Sequence, residues 1–113
     1  MSRAAAAIPS DHDVFRAIAD PTRRAILDRL RVGQAPVNDL AAGFQMSRPA
    51  ISKHLRILKE ASLVRERRSG RQRLYQLQPG PLRDVAAWVE SYQQFWRSNL
   101  SLLKQFVESE SEP

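Results

Sequence analysis

Apolar residues recur at helical spacing through most of this chain. Ile51, Leu55 and Leu58 stand at i, i+4 and i+7, while Pro49, Ser52, Lys53 and Arg56 fall on the opposite side. Ser47 suits an N-cap just ahead of them, and Pro49 lies in the first turn, where a missing N–H is harmless. Upstream, Val37, Leu40, Ala41 and Phe44 predict a short helix over about 37–43, and Gly43 to Met46 form the turn that follows. Asp20-Pro21 reads as an N-cap and first helical residue. Ile26, Leu27 and Leu30 form the inner face behind it, and Gly33 is a C-cap. Ser10-Asp11-His12-Asp13 resembles a capping box, so a first helix is expected from about Asp11 to Ala19.

After Ala61 the pattern changes. Leu63–Arg68 and Gln72–Leu77 read as two short strands, and Ser69-Gly70-Arg71 reads as the hairpin connection between them. Pro79-Gly80-Pro81 interrupts the chain, and a long helix free of Gly and Pro is expected from Leu82 to about Val107. It carries two apolar stripes. Val85, Val89, Tyr92, Trp96, Leu100, Leu103 and Val107 form one, and Trp88, Phe95, Leu102 and Phe106 form the other. One stripe can cap a small core, and the second needs another partner, for which a second copy of the chain is the simplest choice. The expected order is α-α-α-α-β-β-α, a mainly α protein with a small β-hairpin wing. Residues 1–10 are expected to be a mobile tail, 11–107 the winged helix-turn-helix domain, and 108–113 an acidic tail.

At 113 residues the chain suits one domain. It contains no cysteine, which excludes disulfides, thiolate metal sites and a cysteine nucleophile, and fits a cytoplasmic setting. No apolar run has the length of a membrane span, and Ala4–Ala7 is too short for the apolar part of a signal peptide. The formal net charge is +6. Residues 48–73 hold nine Lys/Arg against two acids, a net of +7, so the rest of the chain nets −1. A basic patch on a near-neutral body is the footprint of a polyanion binder.

The chemistry points the same way. Ser47, Arg48, Pro49, Ser52, Lys53 and Arg56 are the candidate DNA contacts of the reading helix, with phosphate held at its N-terminus. Arg68, Arg71 and Arg73 are the candidate anchors of the wing. Arg23, Arg24, Arg29 and Arg31 read as solvated or paired with Asp20 and Asp28, and His54 is assigned to packing or a main-chain hydrogen bond. No catalytic residues, cofactor or metal site are expected. The two histidines stand far apart, Asp84 and Glu90 do not share a face, and no Gly-rich phosphate loop is present. A basic region with Tyr75 as its single aromatic favours duplex DNA over RNA.

Three stretches carry a family resemblance: Phe15 to Leu27 (FRAIADPTRRAIL), Met46 to Leu58 (MSRPAISKHLRIL), and Ala61 to Val64 continuing into Arg67–Arg71 and Tyr75–Leu77. Together the chain resembles the ArsR family of winged-helix transcriptional repressors over about residues 12–100. The resemblance implies a bacterial homodimer, joined through its first and last helices, that binds a palindromic operator and often represses its own operon. It places Phe15, Trp88, Tyr92, Phe95, Trp96 and Leu102 at the dimer interface. The family's metal-sensing residues have no counterparts, since cysteine is absent and residues 82–108 contain no His. The chain is therefore similar to the non-metal branch, whose small-molecule inducer is often unidentified. A ligand seated among the aromatic residues of the last helix is the second reading, and an enzyme finds no support.

Overall fold

The computed structural model describes residues 14–111. The expected capping box at Ser10–Asp13 and the expected tail at 1–10 lie outside them. The elements are α1 (Val14–Ala17), α2 (Pro21–Val32), β1 (Ala35–Pro36), α3 (Val37–Gly43), α4 (Arg48–Glu60), β2 (Val64–Ser69), β3 (Gln72–Leu77) and α5 (Leu82–Ser111). The chain divides into two compact units, one ending at Leu82 and the other starting at Arg83.

The first unit is built on inner faces that the sequence pattern placed correctly. Ile26, Leu27 and Leu30 of α2, Val37, Leu40 and Ala41 of α3, and Ile51, Leu55 and Leu58 of α4 are all buried. Leu63 and Val64 complete the core from the strand side. Burying a side chain of this size stabilises by about 1.5–3 kcal/mol relative to exposure, so these rows fix how the three helices pack. Asp20 caps α2 by accepting the Arg23 main-chain N–H at 3.0 Å, and Pro21 follows in the first turn. The main-chain N–H of Arg23, helped by the guanidinium charge, holds the Asp20 carboxyl below its ordinary range against the opposing effect of burial.

Four details correct or refine the expectation. First, a third strand exists: Ala35 and Pro36 pair with Tyr75 and Leu74, giving a sheet of order β1-β3-β2. Two residues, one a proline, leave no alternating pattern to read, and proline is tolerated there because β1 is an edge strand. Second, β2 and β3 pair from Val64↔Leu77 to Ser69↔Gln72, so the hairpin loop is the two residues Gly70 and Arg71 rather than three. Gly70 supplies the left-handed conformation, with φ 63°. Third, α3 ends at Gly43 and the turn follows it as expected, and within that turn the left-handed residue is Gln45 (φ 54°). The Gln45 and Met46 N–H groups close onto the Ala42 and Ala41 carbonyls at 3.2 and 3.0 Å. The same arrangement ends α4, where Ser62 (φ 60°) and Leu63 donate to Lys59 and Leu58. Both are Schellman closures made without glycine. Fourth, α5 runs 30 residues to Ser111, about 45 Å, and does not end near Val107.

Candidate nucleic-acid interface

The outward face of α4 is assembled as its sequence implies. The Ser47 hydroxyl accepts the Ala50 N–H at 3.2 Å and fixes the start of the helix. Ser47, Arg48, Pro49, Ser52, Lys53 and Arg56 are all exposed while the opposite side is buried. Arg48 and Lys53 make no ion pair among the described residues, so their charges are free for a polyanion. Arg56 is loosely held by Glu60 at 3.4 Å across one helical turn, an exposed pair of small strength.

The wing brings a second cationic group to the same surface. Arg68 and Arg73 are directly opposed across β2 and β3. Like charges so placed destabilise a hairpin unless an anion meets them. Arg71 stands at the hairpin tip. Arg48 from the start of α4 and Arg71 and Arg73 from the wing line a single cleft of about 350 Å³, together with Asn38, Gln72 and one acid, Asp39. Reading helix and wing thus converge on one cationic recess, although 23 positions separate Arg48 from Arg71 in the chain.

Arg73 also takes part in a clamp that sequence reasoning missed. Glu66 accepts from Lys59 Nζ at 2.8 Å and from Arg73 Nη1 at 2.9 Å, tying the end of α4 to both wing strands. The hydrogen bond from Lys59 draws the Glu66 carboxyl below its ordinary range, and the same bond raises Lys59. Burial, reinforced by the Glu66 charge, pushes the Tyr75 phenol up. The available signal was a lone acid in a strand otherwise rich in arginine. Arg67 donates to Gln34 Oε1 at 3.2 Å, which bonds β2 to the residue just before β1. Arg68 and Arg71 keep their guanidinium groups free among the described residues.

Comparisons with known proteins agree with this geometry. Residues 20–66, which run from the cap of α2 into β2, match the model of the bacterial regulatory protein arsR family. The chain is 43% identical over 98 residues to the HTH-type transcriptional regulator Rv2034 of Mycobacterium tuberculosis, covering 87% of this chain and 89% of that protein. The chain belongs to the ArsR family. It is also 42% identical over 81 residues to the transcriptional repressor SdpR of Bacillus subtilis, covering 72% of this chain and 90% of that one. The solved structure of an ArsR-like transcriptional regulator from Rhodococcus sp. RHA1 superposes with a TM-score of 0.67 at 34% identity, covering 85% of this chain and 88% of that one. Like the rest of the ArsR family, the protein is a DNA-binding transcriptional regulator with a helix-turn-helix.

Two further features of this ArsR-family chain concern the expected assembly residues and the inner arginines. In α5, Trp88, Tyr92, Phe95, Trp96 and Leu102 are all exposed, at 44–63%. Trp88 packs edge-on against Tyr92 at 5.4 Å and Tyr92 stacks on Trp96 at 6.3 Å, so the two expected stripes meet in one aromatic ridge. Phe15, on α1, is half-buried. Of the four inner arginines, Arg24, Arg29 and Arg31 are exposed as expected, and Arg23 is half-buried. Arg24 donates to the Ile18 carbonyl at 2.8 Å and Arg29 to that of Gly33 at 3.2 Å, while Arg31 does lie 3.7 Å from Asp28. His54 contacts a side chain, Arg23, instead of a main-chain group. No helix among the described residues is long and apolar enough to cross a membrane.

Proposed function

We propose that this ArsR-family regulator is a homodimeric repressor that grips a palindromic operator, including that of its own operon, in the bacterial cytoplasm. The observation that carries this reading is the shared recess of Arg48, Arg71 and Arg73, where the reading helix and the wing present one cationic surface. In it, the amides at the start of α4 and Ser47 hold a phosphate. Arg48, Ser52, Lys53 and Arg56 face the major groove with Pro49 packed beside them, and Arg68, Arg71 and Arg73 follow the adjacent backbone or minor groove. In a two-fold dimer the two reading helices enter successive major grooves about 34 Å apart.

The exposed ridge of α5 supports the dimer, with Trp88, Tyr92, Phe95, Trp96 and Leu102 from α5 and Phe15 from α1 as its interface. A monomer would leave to water an apolar face that soluble proteins ordinarily cover. Residues 11–107 act as the functional domain, with residues 1–10 as a tail and the acidic residues 108–111 as the last turn of α5. The deciding experiment retains duplexes from a randomised pool on the purified protein and sequences them. A two-fold symmetric site with half-sites one helical turn apart is expected, and retention without sequence enrichment would reject specific recognition.

A second reading adds an effector to the same protein. Trp96, Leu100 and Leu103 line an apolar hollow of about 370 Å³ with Asn99 as its polar group, large enough for a small organic ligand. Titrating small organic molecules against tryptophan fluorescence tests it, and a response that also releases DNA is the expected result.

A further inference from the structure

We propose that Arg23 is a positioning residue for DNA reading, which sets the orientation of α4 by tying His54 on that helix to the carbonyl end of α1. The inference rests on α4 being the reading helix. Arg23 Nε donates to the Ala17 carbonyl at 2.7 Å and Nη2 to the Arg16 carbonyl at 3.1 Å. The remaining arm, Nη1, lies 3.3 Å from His54 Nδ1. Arginine can only donate, so this bond requires a neutral imidazole with its proton on Nε2. The Asp20 carboxylate stands 4.0 Å from the same Nδ1, beyond hydrogen-bond distance, and is occupied by the Arg23 main-chain N–H.

One planar guanidinium therefore joins three helices. It supplies a donor to the Ala17 carbonyl, adds a second donor to the Arg16 carbonyl, which also accepts the Ala19 N–H at 3.2 Å, and passes a single N–H to α4. His54 sits between the buried row of α4 and its outward row. It lies two positions from both Ser52 and Arg56, so a rotation of the helix at His54 displaces both. Bidentate base contacts depend on such orientation, and a site is only as well aimed as the groups that support it. Three of the five Arg23 N–H donors are engaged inside the protein.

The test compares wild type with Arg23→Lys, His54→Leu and His54→Asn. Two probes are used: a duplex selected from a randomised pool by the wild-type protein, and a scrambled duplex of the same composition. Lysine cannot span three acceptors, and leucine accepts nothing. Both variants are expected to weaken the selected duplex about tenfold, leaving the scrambled duplex and the salt slope unchanged. Asn Oδ1 can stand near the Nδ1 position, so His54→Asn is expected to stay within about threefold of wild type. Equal losses on both duplexes, with a salt slope smaller by about one, would mean that Arg23 meets phosphate and would overturn the proposal. So would wild-type discrimination in Arg23→Lys, or an Asn variant as weak as the Leu variant. Thermal melts run in parallel, and if His54→Leu does not fold, the Arg23→Lys and His54→Asn pair decides. Arg71→Ala serves as the separate control: if it binds both duplexes like wild type, the DNA face itself is misplaced, whatever Arg23 does.

Discussion

Two helices of this protein carry the same kind of sequence signal and meet different fates. In α4 the apolar row Ile51, Leu55 and Leu58 is 0–1% exposed, and the opposite face is left to Arg48, Ser52, Lys53 and Arg56. In α5 the large apolar residues Trp88, Tyr92, Phe95, Trp96, Leu102 and Phe106 are 44–63% exposed. Periodicity states that a face will be covered but not by what. The row of α4 is covered by its own chain, because α2, α3 and the strands close over it. The ridge of α5 is exposed along its length, and the proposed dimer would cover it with a second copy.

The contrast can be broken most sharply at Leu55. Leu55→Ala should cost about 2–5 kcal/mol in urea unfolding, independent of protein concentration, because it opens a cavity in a filled core. Trp96→Glu in the ridge should act through assembly, raising the monomer–dimer dissociation constant by tenfold or more in sedimentation equilibrium. An unchanged dimer would show that the ridge is covered in another way. On the outward face of α4, Arg48→Ala should cost about 1–3 kcal/mol on the selected duplex and relax the preference at one base position. Arg71→Ala should weaken all sequences alike and lower the salt slope by about 0.9. Ser47→Ala removes the cap of α4 and should lower stability by about 1 kcal/mol in a denaturant melt.

The smallest effect belongs to the clamp between α4 and the wing. Because Glu66 is held below the ordinary glutamate range, its contribution is complete above the unfolded value of about 4.3. It is lost as pH falls through the lower folded value. Glu66→Gln should therefore melt slightly below wild type at pH 7, by less than about 1 kcal/mol, and the gap should close in that acidic window.

Much of the interface was legible because its determinants are local. A serine before a proline-containing first turn, an apolar row at helical spacing and a glycine at a hairpin tip act over a few residues, and each formed where expected. The left-handed turns at Gln45 and Ser62 were not legible, since neither residue advertises that conformation and the closing hydrogen bonds enforce it. Nor was β1, whose partner lies in β3.

By itself the sequence determined the helices and the hairpin, the two faces of α4 and the concentration of positive charge in residues 48–73. Those follow from side-chain periodicity, capping chemistry and composition, which need no long-range partner. The tertiary structure alone decided which charges are free and which are spent. It gathered Arg48, Arg71 and Arg73 into one recess, committed Lys59 and Arg73 to Glu66, and brought Arg23 to His54 across 31 positions of chain. A guanidinium's partners are set by the elements folded against it, and spacing along the chain does not encode them.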